Sequence, residues 1–114
     1  MRRDDASYPL DMLVAARDAV AFSEGLSFSR FVGEQRSQLA IVKAVEIVGE
    51  AAARLSRETT EAHPDIPWRE VVGMRNRLVH GVFDIDLQVV WDSVQKDLPV
   101  LIAHLEPLVS PEGQ

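Results

Sequence analysis

A helical stripe of apolar residues in the middle of the chain restricts the possible folds more than any other feature. It runs from about residue 38 to residue 56. Its apolar residues step along the chain by four, three, four and three positions: Ile41, Val45, Val48, Ala52 and Leu55. That spacing places their side chains on one face of an α-helix. The rest of the chain must therefore supply elements that cover this face.

A second face of the same helix carries small residues beside one carboxylate. Gly49 and Ala53 lie there and would let another helix approach closely, near Glu46. An unpaired carboxylate at a helix contact is costly. We therefore expect Glu46 to pair with Arg75 or Arg77 rather than to remain a partly exposed carboxylate at the helix edge.

The first helix is predicted from apolar residues three and four positions apart: Met12, Ala15, Ala16, Ala19 and Phe22. We expect Ser7 to cap this helix and Pro9 to lie in its first turn, where the missing N–H costs nothing. Gly25 should end it. A short helix or turn then presents three apolar residues to the core: Phe28, Phe31 and Val32.

Two prolines three positions apart in HPDIPW, residues 63–68, exclude a long helix through that segment. A further helix is predicted to begin at Pro67 or Trp68 and to end at Gly81. The last helix has well-spaced apolar residues: Leu87, Val90, Trp91, Val94, Leu98, Leu101, Ile102, Leu105 and Leu108. We expect Asp84 or Asp86 to cap it and Pro99 to kink it.

These patterns predict an all-α, up-and-down bundle with four main helices and short connections. With 114 residues, 46% of them hydrophobic, residues 1–109 should form a single domain and residues 110–114 a flexible tail. The net charge of −6 argues against broad, charge-driven binding of nucleic acid or membranes, but permits a local cationic pocket. The chain has no cysteine and no recognisable signal peptide or membrane span, so we expect a cytoplasmic protein without disulfides.

The stretch GMRNRLVHGVFDID, residues 73–86, concentrates Arg75, Asn76, Arg77 and His80 in an otherwise acidic chain. Histidine exchanges protons near neutral pH, and arginine presents donors that match phosphate oxygens. Such a set suits cleavage of a phosphodiester without a metal ion. Alternatively, Arg77 is merely solvated, Arg75 pairs with Glu46, and the helix dipole favours a histidine at the C-terminal end.

Helical geometry bears on whether these residues form one site. Asn76 and His80 are four residues apart and share a face, whereas Arg75 lies roughly 140° from His80. A long arginine side chain, the helix end at Gly81 or a second copy of the helix could bring Arg75 and His80 together. The last possibility predicts a dimeric site.

The other candidate residues favour structural roles. His63 and Asp65 lack further ligands at a useful spacing, so we expect no metal site. His104 is most simply a surface residue. Trp68 and Trp91 fall on apolar helix positions, which favours core packing over base stacking.

Three segments resemble the HepT-like branch of the HEPN superfamily, the toxin halves of toxin–antitoxin pairs: VEIVGEAAARL, HPDIPWREVVGMRNRLVHGVFDID and LQVVWDSVQKDLPVL. The family signature is Arg, a polar residue, three further residues and His, which here is Arg75, Asn76 and His80. The resemblance implies a four- to five-helix bundle that forms a homodimer. It implies a metal-independent endoribonuclease without a cofactor. Independently of the resemblance, we expect Arg77 and Glu46 to support this site or to bind substrate. The implied partners are RNA and a minimal nucleotidyltransferase antitoxin.

One residue departs from the family pattern. HepT-like toxins usually carry a tyrosine two residues after the histidine, where the antitoxin attaches AMP, and here that position is Val82. Valine has no hydroxyl and cannot be modified in this way. A second hypothesis therefore remains, in which the chain is a non-catalytic dimeric module that binds a nucleotide, RNA or a nucleotidyltransferase.

Overall fold

The computed structural model describes residues 3–78 and 85–109, and all regular structure in these ranges is helical. In chain order the helices are α1 (Arg3–Ser23), α2 (Phe28–Val32), α3 (Gln35–Ala53), α4 (Arg57–Ala62), α5 (Trp68–Val72), α6 (Met74–Leu78), α7 (Leu87–Asp92) and α8 (Leu98–Leu105). A π-helical turn (Ser93–Asp97) joins α7 to α8, and a 3-10 turn (Glu106–Leu108) follows α8. The predicted all-α fold class is confirmed.

The predicted stripe on α3 forms the centre of the core. Ile41, Val45, Val48 and Ala52 are buried, and Leu55, just past the helix end, is partly buried. Helix α1 packs along α3 and also against α8, while α5 and α6 pack against α3. The helix with the strongest apolar periodicity is thus covered by its neighbours, as its pattern requires. None of the helices in the described ranges is long and apolar enough to cross a membrane.

Helix α1 begins earlier than the sequence predicts. It starts at Arg3, so Ser7 is not its cap and Pro9 lies inside the helix. Proline in a helix interior lacks the N–H for the carbonyl four residues earlier. Pro9 is itself buried, as are Met12 and Leu13 in the next turn, and this packing offsets the lost bond.

The end of α1 and its apolar face follow the prediction, except at one side chain. Gly25 has a φ of +80°, a conformation that glycine adopts without strain, and α1 ends just before it. Met12, Ala15, Ala16 and Ala19 are buried as expected. Phe22 is 46% exposed, contrary to the prediction, because the last turn of α1 turns the neighbouring Ser23 inward instead.

The short segment after α1 is helix α2. The Ser27 hydroxyl caps it by accepting the Arg30 N–H at 3.1 Å. Phe31 is completely buried, but Val32 is 45% exposed, so the prediction that both face the core is wrong. Adjacent residues on a helix point about 100° apart, and in this short helix the direction that turns Phe31 into the core turns Val32 toward solvent.

Helix α4 is absent from the sequence-based prediction, which has only a connector after α3. Ser56 caps α4 by accepting the Thr59 N–H at 3.2 Å. The Trp68 indole N–H donates to the carbonyls of Thr60, at 3.0 Å, and His63, at 2.9 Å. Trp68 therefore ties the end of α4 to the start of α5, which explains how a proline-rich connector is held.

The helix predicted from Pro67 or Trp68 to Gly81 is broken at Gly73 into α5 and α6. Glycine is the weakest helix former after proline. The Gly73 N–H bonds back to the Arg69 carbonyl at 3.0 Å and closes α5. Residues 79–84, including the predicted end of this helix, lie outside the described ranges.

Helix α5 approaches α3 closely at Gly49, as the small face of α3 predicts. A Cβ atom on Gly49 would lie 3.3 Å from the Val72 carbonyl oxygen and 3.5 Å from that of Val71. We expect Gly49→Val to lower the free energy of unfolding by about 1–3 kcal/mol, because the added methyl groups would press on this backbone. Urea denaturation would measure the loss.

Ala53→Val is the matched control, because Ala53 is exposed one turn further along α3. It should cost only the helix propensity of valine, roughly 0.5 kcal/mol. Similar losses for both variants would contradict the close approach at Gly49.

The last helix is capped as the sequence predicts, and near Pro99, where a kink is predicted, it contains a π-helical turn. The Asp86 carboxylate accepts the Val89 N–H at 3.1 Å, while the alternative cap, Asp84, lies outside the described residues. Just before Pro99 the helix widens into the π-helical turn, where the Leu98 N–H bonds to the Ser93 carbonyl. Pro99 cannot donate to the carbonyl four residues earlier, so regular α-helix is broken there.

Candidate functional site

Helix α6 exposes three consecutive polar residues of the predicted motif. Met74 and Leu78, four residues apart, are buried and hold α6 to the core. Arg75, Asn76 and Arg77 lie between them and are all exposed. The short amphipathic helix therefore presents two guanidinium groups and one amide to solvent.

Arg75 is held by a carboxylate from α3. Its Nε lies 3.6 Å from Oε1 of Glu46, whose side chain is only 23% exposed. The predicted pairing of Glu46 with Arg75 or Arg77 is therefore confirmed for Arg75, and this contact is also the one that the non-catalytic alternative for the stretch predicts. Such a pair near the surface contributes about 0.2–1 kcal/mol, so it orients Arg75 more than it stabilises the fold. A guanidinium has five N–H donors, so pairing through Nε is compatible with phosphate binding through the other two nitrogens.

Asn76 and Arg77 have different local roles. The Asn76 backbone N–H donates to the Gly73 carbonyl at 3.1 Å, and its exposed side chain lies next to Arg75 along α6. Nη2 of Arg77 donates to the Glu70 carbonyl at 3.4 Å. Arg77 also lines a pocket of about 310 Å³ between α5, α6 and the last helix. Arg77 is therefore more than the solvated surface residue of the alternative, because it also contacts the backbone and lines the pocket.

His80, the proposed proton-transfer residue, lies outside the described residues, as does Val82. The chain leaves the described region at Leu78, two residues before His80. The meeting of Arg75 with His80 and their sharing between two subunits therefore remain predictions.

The candidate residues outside the motif have only some of the roles that the sequence predicts. Nδ1 of His104 lies 3.1 Å from Oδ2 of Asp65, so His104 is a half-buried partner of the connector rather than a simple surface residue. Trp91 packs against Phe31 with ring centroids 5.3 Å apart, which confirms its packing role. Across residues 3–78 and 85–109, no three histidine or acidic side chains are grouped so that they could hold a metal ion.

Sequence reasoning missed the grouping of Arg77 with Lys96 and His104 around one pocket. Lys96 and His104 are eight residues apart and therefore lie roughly 80° apart around the last helix, close enough to line one pocket, a signal that was available. Which helix would face them was not visible in the sequence.

Comparison with known proteins adds a family relationship. A family model described as ribonuclease HepT-like matches residues 12–108. A protein of Thermococcus cleftensis named probable ribonuclease HepT is 34% identical over 108 residues, covering 95% of this chain and 98% of the relative. A protein of Methanocaldococcus jannaschii named as a putative RNase is 32% identical over 105 residues, covering 92% and 96%. No solved structure matches significantly.

Proposed function

The chain belongs to the ribonuclease HepT-like family, and from that premise we propose that it cleaves RNA through Arg75, Asn76 and His80. The observation that carries this proposal is the exposed Arg75 guanidinium, oriented by Glu46 at 3.6 Å and five residues before His80. The family relationship supplies RNA as the substrate class.

The proposed reaction uses only side chains. The ribose 2′-oxygen attacks the adjacent phosphorus while a histidine takes its proton, and the bond from phosphorus to the 5′-oxygen breaks. A proton returned to the leaving oxygen gives a 5′-hydroxyl end and a cyclic phosphate. Arg75 stabilises the charge that develops on the phosphate oxygens, and Asn76 either orients His80 or donates to the phosphate. No step requires a metal ion.

We further propose that two copies of the chain form the active cleft. Arg75 and His80 would point about 140° apart on a continuous helix, so residues from two subunits complete a site more readily than residues from one. Exposed apolar side chains adjoin this region in sequence, since Ile47 follows Glu46 and is 37% exposed, and Val72 is 40% exposed. These side chains would be covered in a dimer.

The proposed cellular role is that of a toxin restrained by a minimal nucleotidyltransferase, as the family resemblance implies. Val82 stands where such an enzyme would modify a tyrosine. Restraint of this chain must then come from binding of the antitoxin or from modification elsewhere.

The direct test is RNA cleavage by purified protein with a chelator present throughout. We expect wild type to leave cyclic-phosphate ends and Arg75→Ala to cleave about a hundredfold more slowly, the usual loss when one charge-stabilising donor is removed. Arg57→Ala is the matched control, since the Arg57 side chain is 90% exposed on α4. It should retain full activity.

Two outcomes would count against the proposal. Equal cleavage by wild type and Arg75→Ala would remove Arg75 from the reaction. Cleavage that stops on addition of the chelator would contradict metal independence.

A further inference from the structure

The pocket of about 310 Å³ beside α6 has apolar walls. It lies between the connector before α5, the helices α5 and α6, and the last helix. Val71, Met74 and Leu101 line it and are buried, whereas Val100 is 58% exposed. The volume is at the lower end of the range for small-molecule sites, which suits a compact planar group.

Charged side chains of both signs complete the lining. Arg77 and Lys96 are the long basic residues, and Glu70 and Asp97 are carboxylates. Lys96 and His104 are eight residues apart on the last helix, so they are separated by roughly 12 Å along its axis. The pocket is therefore elongated, with Lys96 and His104 at different positions along its length.

The Asp65–His104 contact places an imidazole beside a carboxylate in the lining of the pocket. Asp65 holds Nδ1 of His104 at 3.1 Å, and both residues line the pocket. A carboxylate on one ring nitrogen fixes the orientation of the imidazole. The other nitrogen is then available to a polar edge of a ligand.

We infer that this pocket binds one unpaired nucleotide of an RNA strand, with the base between the apolar walls and a phosphate at Arg77 and Lys96. Three lining carboxylates disfavour a purely anionic ligand, and the charged side chains disfavour a purely apolar one. A nucleotide combines an apolar face, a polar edge and a phosphate. Recognition of unstacked bases in this way is usual for single-stranded RNA.

This inference rests on the proposed function for its connection to cleavage. Arg77 and Arg75 are two residues apart, so they point roughly 200° apart around α6. An RNA strand with its scissile phosphate at Arg75 must then pass around α6 before one of its other nucleotides reaches the pocket. Because the pocket lies away from the reacting phosphate, it is a specificity subsite that affects substrate binding rather than the chemical step.

Isothermal titration with the four nucleoside 5′-monophosphates and with inorganic phosphate tests the site. We expect at least one nucleotide to bind wild-type protein and to bind Lys96→Ala about tenfold more weakly, the loss typical of one charge-assisted contact. Lys43→Ala is the matched control, because Lys43 is exposed on α3 outside the pocket. Val100→Glu, at an exposed position, should also weaken binding by placing a negative charge near the phosphate.

The inference is overturned if no nucleotide binds, as expected if the pocket instead receives a side chain of a partner protein. It is also overturned if wild type and Lys96→Ala bind equally, or if inorganic phosphate binds as tightly as the nucleotides. These binding results do not depend on cleavage, so an inactive protein would refute the proposed function without deciding this inference. In an active protein, Lys96→Ala should raise KM about tenfold and leave kcat unchanged.

Discussion

Replacing His80 with alanine should slow RNA cleavage about 10²–10⁴-fold, the usual contribution of a positioned general acid or base. His80 is the residue of the motif that can exchange protons near neutral pH, so no neighbouring residue replaces it. Initial rates on one RNA substrate, with a chelator present, would measure the loss.

His63→Ala is the control for this variant. The described hydrogen bonds of His63 all use its backbone, including the carbonyl that accepts the Trp68 indole N–H at 2.9 Å, so they survive the substitution. We expect His63→Ala to cleave at the wild-type rate, and thermal unfolding should confirm that both variants fold. Equal cleavage by wild type and His80→Ala would exclude the histidine from catalysis. No cleavage by any of the three would favour the non-catalytic dimeric binding module.

Phe31→Ala should lower the free energy of unfolding by about 3–5 kcal/mol, because it leaves a cavity the size of an aromatic ring in the core. Phe31 is completely buried, and its ring packs 5.3 Å from that of Trp91. The contact joins α2 to the last helix. Since domains of this size are stable by only about 5–15 kcal/mol, the variant should lose a large fraction of its stability.

Phe22→Ala is the matched control, because it removes the same side chain from a position that is 46% exposed. It should change the free energy of unfolding by about 0.5 kcal/mol or less. Urea denaturation of both variants gives the comparison. Equal losses would mean that Phe31 does not contribute to the core as described.

The helices were largely predictable because burial imposes a period on the sequence. The stripe of α3 is buried where its spacing requires. Asp86 caps the last helix, and Gly25 adopts a positive φ just after the end of α1, as the chemistry of each residue predicts. The failures have local causes. Pro9 lies inside α1, because packing against neighbours there outweighs the low helix propensity of proline. Gly73 breaks a predicted helix, because packing there does not outweigh the low helix propensity of glycine.

The candidate site was predictable in its residue types and in one of its contacts. The chemistry of arginine, asparagine and histidine marked out residues 75–80, and the small face of α3 predicted that Glu46 pairs with Arg75 or Arg77, of which the structure shows Arg75. The pocket was not predictable. Its lining comes from the connector, from α5 and α6, and from the last helix, which are far apart along the chain.

The sequence by itself therefore determined the helical class, the core face of α3 and the residue types available for phosphate chemistry, because these depend on local spacing and on side-chain chemistry. Only the tertiary structure decided that the helix approaching Gly49 is α5, that Glu46 reaches Arg75 rather than Arg77, and that Asp65 meets His104 beside Lys96. Such contacts join residues far apart along the chain. They arise from the packing of whole helices, which no local pattern specifies.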